Sequence, residues 1–199
     1  MSDANAWNVY RQNVVTGATP NPVIPDPDAI DEEFAQAANA VLMNAVELAR
    51  LMIGAHQSAI AIIVEGDWSS VRKFFSLSQK YAQWADYDTP AKGYGTHNWL
   101  LEHNKPVRFT QAELEAHPEW KNFGTEADKH PPMRGWLAAP LVDSTGKNWG
   151  LLQLSDKVEG EFTEADEKHF VMFTALVSSA LEALWRVRNL KKAQKGLDA

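Results

Sequence analysis

The chain has 199 residues, no cysteine, 45% apolar residues and a formal net charge of −7, from 19 Lys and Arg against 26 Asp and Glu. The apolar share is too high for a disordered chain, and the length is sufficient for one large hydrophobic core. The absence of cysteine excludes disulfides, thiolate metal sites, iron–sulfur clusters and cysteine nucleophiles, and the acidic charge argues against general binding to nucleic acid or to anionic membranes.

The N-terminal part of the chain carries no regular pattern. It has no basic region followed by an apolar stretch, as a secretory signal has, and the longest apolar run, 59–64, is too short to cross a bilayer. We therefore expect a cytoplasmic protein. Spaced prolines in the segment TPNPVIPDP (19–27) oppose regular structure, so residues 1–28 are predicted to be an extension of the domain that follows.

A long helix is predicted to begin near Asp28 and to end at Gly54. Acidic residues crowd its first turn, where they favour the positive end of the helix dipole, and apolar residues recur every three or four positions along it. The apolar run SAIAIIV (58–64) then predicts a strand buried on both faces. The segment RKFFSLS (72–78) predicts a second strand, antiparallel to the first.

The middle of the chain, residues 79–134, is irregular and rich in aromatic residues and histidines. Short helices are predicted over 95–103 and from Thr110, where Glu113 completes the pattern of a capping box, with a short edge strand at 106–109 between them. A long segment of this kind within a compact domain more often forms a functional lid than filler.

The last third predicts two paired strands and a long helix. Strands over 136–142 and 149–155 flank the turn DSTGKN, and Gly150 in the second strand indicates a close backbone approach. Thr163 begins the helix, and residues 191–199 are predicted to be a short basic tail. Neighbouring strands framed by helices favour an α+β fold, in which helices pack on one face of an antiparallel sheet.

The stretch 133–170 resembles the C-terminal half of a GAF domain, the small-molecule sensory module of many signalling proteins. The motif residues are similar to the family pattern N-K…F-x-x-x-D-E, with aspartate at the first position: Asp156, Lys157, Phe162, Asp166 and Glu167. The resemblance implies a GAF/PAS-like central antiparallel sheet of five or six strands over residues 29–190. The N- and C-terminal helices are then expected on one face and a lid of loops and short helices on the other, as in GAF domains of bacterial sensor kinases and two-component systems.

The motif residues also have a structural interpretation of their own. Lys157 follows a strand and Asp166 lies in the first turn of the next helix, so an ion pair between them joins the two elements, with Phe162 closing the core. We predict a strut here rather than ligand-reading residues, and we infer no cyclic nucleotide from the motif.

The missing cysteine limits the chemistry that the resemblance implies. Covalent bilin attachment and the free methionine sulfoxide reductases of this fold both use cysteines, so neither is expected, and noncovalent binding of a small molecule remains. The histidines lack the spacing of a metal site, so no metal is predicted. A single histidine as an axial haem ligand and a noncovalently bound bilin stay open.

The aromatic middle has two interpretations. Its large side chains either anchor a loop-rich lid or line a ligand pocket between sheet and lid, with Arg134 as a charge at the rim. The candidate pocket residues are Tyr81, Trp84, Tyr87, His97, Trp99, Trp120, Phe123, Arg134 and Trp136.

The resemblance predicts a non-catalytic sensory domain that binds a small molecule and signals through its terminal helices. The output is expected through a signalling protein on a separate chain or a second copy, and apolar positions that look spare favour a homodimer: Leu42, Val46, Leu181 and Trp185. No nucleic acid or membrane partner is expected. One alternative is an assembly module with a vestigial pocket, and the other is a small enzyme that uses His97 or His130 as acid or base.

Overall fold

A six-stranded antiparallel sheet forms the centre of the structure, a computed structural model that describes residues 12–16, 29–63, 70–85, 95–122 and 130–197. The strands are β1 (Gln12–Thr16), β2 (Ala55–Ile63), β3 (Ser70–Leu77), β4 (Val107–Phe109), β5 (Trp136–Val142) and β6 (Asn148–Lys157). Their order across the sheet is β1-β3-β2-β6-β5-β4, and every neighbouring pair is antiparallel.

Two long helices and a set of short ones complete the fold. The helices are α1 (Ala29–Ile53), α2 (Thr96–His103), α3 (Gln111–Ala116) and α4 (Glu164–Leu197), with one 3₁₀ helix at Gln79–Trp84. We call the face of the sheet that α1 and α4 cover the helix face, and the opposite face, under α2 and α3, the lid face. The predicted α+β fold with terminal helices on one face and a lid on the other is confirmed.

Strand β1 lies inside residues 1–28, which the sequence predicts to be an extension. Its backbone pairs with β3 over five residues, from Gln12 opposite Phe74 to Thr16 opposite Ser70. This part of the chain therefore contributes an edge strand to the sheet. The remainder of 1–28 lies outside the described residues.

The helix face carries the larger core, because α1 and α4 pack on each other as well as on the sheet. Their termini are joined by ion pairs from Arg188 and Lys192 to Asp31, each over 2.5 Å. This double packing contradicts one prediction from the sequence, namely which residues are available for a dimer interface. Three of the four apolar residues predicted to be available for a dimer interface are buried within the subunit, at 3% exposure or less: Leu42, Val46 and Leu181. The fourth, Trp185, is 40% exposed.

A different set of apolar side chains lies on the surface of α1 and α4. We call this surface the outer helix face, and it comprises Leu48, Leu51, Met52, Met172, Leu176, Val187 and Leu190, each about half exposed or more. By length and composition alone, α4 is also the helix in the described residues that could cross a bilayer. Its most apolar stretch of 18 residues has a mean hydropathy of 1.4, and 28% of that stretch is buried. One side of α4 packs in the core, so its high hydropathy reflects two apolar sides.

The backbones of β6 and β2 lie unusually close at Gly150. Gly150 lies opposite Ile62 of β2 and Leu141 of β5, where the pairing of β5 with β6 is irregular. Its φ is +146°, and a Cβ placed there would lie 1.9 Å from the carbonyl oxygen of Ala61. The close approach that the sequence predicts is therefore confirmed, and it sets the spacing of the two central strands.

The lid face carries a second, smaller core. Helices α2 and α3 bury Leu100 and Leu114 against β4, β5 and β6, around the fully buried ring of Trp136. Helix α3 begins with the predicted capping box, in which Thr110 and Glu113 bind each other's backbone N–H groups. This cluster covers one half of the lid face and leaves the other half, over β2 and β3, to a polar cleft.

Candidate functional site

A small cleft lies on the lid face, over the middle of the sheet. Strands β2, β3 and β6 form its floor and the loop before β5 forms its roof. It has a free volume of about 10 Å³, the room of about one water molecule. Its lining residues are Gln57, Ser58, Ala59, Phe75, Leu77, His130, Met133, Gln153 and Ser155.

The alternation of side chains along the strands explains why the cleft forms here. Ala59 lies opposite Phe75 on one side and opposite Gln153 on the other, so a small side chain stands between two larger ones. Along β2, Ile60 and Ile62 point into the core of the helix face, while Ala59 faces the lid. The floor is therefore low at the centre of the sheet, with the ring of Phe75 on one side and the amide of Gln153 on the other.

The amide of Gln153 has one orientation, which its partners determine. The indole Nε1 of Trp136 can only donate, so the Gln153 atom 2.7 Å away is the oxygen Oε1. The ring nitrogen Nε2 of His97 lies 2.6 Å from the same oxygen, and it must therefore also donate. Gln153 Oε1 thus accepts two hydrogen bonds, and its Nε2 has no acceptor within the part of the chain that the structure describes.

Two histidines near the cleft are neutral at physiological pH. Burial lowers the pKa of His97 to about 4, with a smaller contribution from the charge of Lys73. Burial likewise lowers the pKa of His130 to about 3, against the opposing effect of its hydrogen bond to Pro131. Since a carbonyl oxygen only accepts, His130 Nδ1 donates to Pro131 O over 2.5 Å, and this fixes its tautomer.

The roof of the cleft is tied to the sheet by side chains of β2 and β6. Gln57 Nε2 donates to the carbonyl oxygen of Pro132 over 2.8 Å. Ser155 Oγ accepts from the backbone N–H of Arg134 and donates to Gly135 O, each over 3.0 Å. The loop thus lies directly over the polar end of the floor. Its carbonyl oxygen at Pro132 accepts from one of the two N–H groups of Gln57 Nε2.

Of the nine predicted pocket residues, none that the structure describes is among those that line the cleft. His97 and Trp136 lie next to it through their bonds to Gln153. Arg134 contributes its backbone to the roof, and its side chain is exposed. Tyr87 and Phe123 lie outside the described residues.

Tyr81 and Trp84 lie together at the end of the sheet near the cleft. Their rings meet edge to face at 5.5 Å, and the hydroxyl of Tyr81 donates to Asp156 Oδ2 over 2.6 Å. Burial, followed by this hydrogen bond, raises the pKa of Tyr81 to about 12. Lys80 also donates to Asp156, over 2.5 Å, so this carboxylate anchors the 3₁₀ helix to the end of β6.

The two other described aromatic candidates, Trp99 and Trp120, pack against the smaller core. Trp99 stacks on His103 at 4.4 Å and meets His117 edge to face at 5.0 Å. Here the aromatic residues of the middle segment act as anchors of the lid. The described residues contain no group of three or more His, Asp or Glu side chains that could hold a metal ion.

The motif residues at the end of β6 and the start of α4 have partners on both faces of the sheet. Lys157 Nζ lies 2.5 Å from Asp166 Oδ2, and Phe162 is 5% exposed in the larger core. Glu167 accepts from Arg108 Nε of β4 over 3.0 Å. Asp156 has a φ of +57° and points to the lid side. These ion pairs join the first turn of α4 to β6 and to β4.

We expect Asp166→Asn to lower the free energy of unfolding by about 2 kcal/mol at neutral pH, since a charge-assisted contact is lost. Burial raises the pKa of Asp166, but hydrogen bonds from Lys157 and Thr163 outweigh it and hold the pKa below its ordinary 3.8. In the wild-type chain, the ion pair therefore stabilises the folded state fully at pH values above the ordinary pKa. This stabilisation is lost as the pH falls through the lowered pKa of Asp166. Denaturant unfolding between neutral and acid pH measures this.

The matched control for Asp166→Asn is Glu161→Gln, an exposed change in the same loop, which should leave the pH profile unchanged. Equal pH profiles for the wild-type chain and Asp166→Asn contradict the strut. A change in ligand affinity without a change in stability contradicts it too.

The chain is similar to known proteins by family model and by structure. A model of the GAF domain matches residues 37–181. The cyanobacteriochrome receptor PixJ shares 16% identity, with a TM-score of 0.59 over 76% of this chain and 99% of that one. The GAF domain of a phosphoenolpyruvate-protein phosphotransferase from Coxiella burnetii shares 18%, with a TM-score of 0.57 over 81% of this chain and 95% of that one.

An enzyme is also among the similar structures. The free methionine-R-sulfoxide reductase of Neisseria meningitidis, solved with its substrate, shares 16% identity, with a TM-score of 0.56 over 79% of this chain and 87% of that one. No curated protein matches the chain significantly. At these identities the structural similarity shows the fold, which sensors and enzymes share.

Proposed function

The chain belongs to the GAF domain family, and we propose that it is a non-catalytic sensor that binds a small molecule noncovalently on the lid face and signals through α1 and α4. The family fold is in general that of a sensory or ligand-binding module. The observation that carries the proposal is the cleft, in which polar side chains at the centre of the sheet lie under a loop that they hold in place.

The cleft chemistry favours binding over catalysis. The chain has no cysteine, so it contains no thiol for redox chemistry. His97 and His130, the acid or base of the enzyme alternative, are held neutral by burial, and each donates its N–H to an oxygen of the protein. This arrangement positions hydrogen-bonding groups and does not pair a nucleophile with a base.

The outer helix face supports the second half of the proposal, a homodimer through α1 and α4. On α4, Met172, Leu176, Ala183 and Leu190 follow the heptad spacing of a coiled-coil seam, and all are exposed. Leu48, Leu51 and Met52 extend the apolar surface onto α1. A second copy would cover both helices in a four-helix arrangement, and shifts in their packing would carry the signal to a partner chain.

Ligand binding is tested on protein purified from its own host. We expect native mass spectrometry to detect a bound small molecule, and a broad compound panel to contain members that raise the melting temperature. Tryptophan fluorescence should change on binding, because Trp136 is bonded to Gln153 at the cleft. If no compound raises the melting temperature and no bound molecule is found, the assembly module with a vestigial pocket replaces the sensor.

We expect Leu176→Glu to convert the dimer to a monomer, weakening association by at least about thirtyfold, since a charge is placed in an apolar interface. Light scattering measures the mass against 22.2 kDa for one chain. The matched control is Val158→Glu, a similarly exposed apolar residue outside the two helices, which should remain dimeric. A wild-type chain that is monomeric at high concentration refutes the dimer.

A further inference from the structure

Two amide side chains at the cleft have hydrogen-bonding capacity that their protein contacts leave unused. Gln57 Nε2 donates to Pro132 O over 2.8 Å, and this contact fixes the orientation of the amide. Its oxygen Oε1 has no donor within the described residues. Gln153 is the converse, because its oxygen accepts from Trp136 and His97 and its Nε2 has no acceptor there. The cleft thus offers one acceptor and one donor group.

These two groups are close enough for one small molecule to reach both. Gln57 lies opposite Ser155 and Gln153 lies opposite Ala59, so the two glutamines are diagonal neighbours on β2 and β6. Diagonal side chains on adjacent antiparallel strands have Cβ atoms about 7–8 Å apart, and two amide side chains shorten the remaining gap.

The charges around the cleft disfavour an ionic ligand. The pKa values of His97 and His130 are low, so both rings are neutral. Lys73, whose charge acts on both histidines, already has an interaction of its own. A carboxylate supplies acceptors alone and would repel Gln57 Oε1, while a cation lacks an acceptor for Gln153 Nε2.

We propose that the cleft binds a small uncharged molecule that carries a carbonyl and an N–H group side by side, as a carboxamide, a lactam or a cyclic urea does. The carbonyl accepts from Gln153 Nε2 and the N–H donates to Gln57 Oε1. This inference rests on the proposed sensor function and specifies its ligand class.

The size of the cleft adds a condition to this proposal. A free volume of about 10 Å³ holds about one water molecule, so a larger ligand must displace the roof at Met133 and Pro132. The roof already presents a carbonyl, Pro132 O, to Gln57. The ligand carbonyl that accepts from Gln153 Nε2 has a second lone pair, which can accept from Gln57 Nε2 in place of Pro132 O once the roof is displaced.

Three compounds of matched shape test the ligand class on the full chain: nicotinamide, its N,N-dimethyl derivative and nicotinate. Only nicotinamide has an uncharged carbonyl next to an N–H. We expect it to raise the melting temperature and to bind at least about tenfold more tightly than the other two. Nicotinate or the dimethyl compound binding equally well overturns the inference.

The failure of this inference is distinguishable from that of the sensor. If nicotinamide, 2-pyrrolidinone and ethyleneurea all fail to bind while other members of the broad panel raise the melting temperature, the ligand class is wrong and the sensor stands. If nothing in either set binds, both are wrong.

Two variants connect binding to the cleft. Gln153→Glu keeps an oxygen for Trp136 and His97 but removes the N–H donors, so nicotinamide affinity should fall at least about tenfold. Gln194→Glu makes the same chemical change on an exposed residue of α4 and should leave affinity unchanged. If Gln153→Glu fails to fold, Met133→Ala, which enlarges the cleft, should tighten nicotinamide binding, and unchanged or weaker binding there counts against the site.

Discussion

Gly150→Ala is expected to destabilise the domain by more than about 4 kcal/mol, enough to unfold many domains. The added Cβ would lie 1.9 Å from Ala61 O and 2.9 Å from the carbonyl carbon of the same residue, and both atoms belong to the backbone of the neighbouring central strand. The strands β2 and β6 would have to separate. The φ of +146° adds further strain for any residue with a side chain.

Gly146→Ala is the matched control, in the turn of the same hairpin. Its φ is +86°, but a Cβ there meets nothing within 4 Å, so we expect only the cost of the backbone conformation, about 1 kcal/mol. Urea unfolding of both variants beside the wild-type chain gives the two free energies. Similar values for Gly150→Ala and Gly146→Ala would show that the two strands separate at little cost.

Local patterns in the sequence predict most elements of this fold. The periodicity of α1, the capping box at Thr110 and the strand at 136–142 each depend on neighbouring residues, so short-range reasoning finds them. Gly150 is predictable for the same reason, since a glycine within a strand indicates that another backbone lies close. These features require no knowledge of how distant segments meet.

The cleft depends on contacts between distant segments, which is why the sequence does not predict it. Gln57 lies just before the apolar run that predicts the strand, and Gln153 and Ser155 alternate with the leucines of β6. They meet only through the register of β2 with β6. The aromatic residues gave the stronger signal in the sequence, but Trp99 and Trp120 pack in the smaller core.

The mistaken dimer positions have a related cause. A helix that packs on a sheet alone has one buried stripe, and apolar residues beside that stripe look spare. Helix α1 packs on the sheet and on α4, so the buried stripe is wider and includes Leu42 and Val46. The residues left outside are Leu48, Leu51 and Met52. Which of two apolar faces is buried depends on the partner helix, 100 or more residues away.

Asp156→Ala is expected to lower the free energy of unfolding by about 3 kcal/mol. The hydroxyl of Tyr81 loses its buried acceptor, which costs about 1–3 kcal/mol, and alanine at a φ of +57° costs about 1 kcal/mol more. Lys80, with a side chain 43% exposed, regains water and contributes little. The pKa of Tyr81 should fall, because its hydrogen bond to Asp156 and the negative charge of Asp156 both raise it.

Asp156→Asn separates the role of the charge from that of the shape, and it restores the residue of the family motif. Asparagine tolerates positive φ and keeps an oxygen for Tyr81, so we expect a loss below about 1 kcal/mol. Denaturant unfolding gives the stabilities, and tyrosinate absorbance during alkaline titration follows Tyr81. If Asp156→Asn is as damaging as Asp156→Ala, the negative charge holds the 3₁₀ helix in place. Equal stability of all three proteins instead removes Asp156 as its anchor.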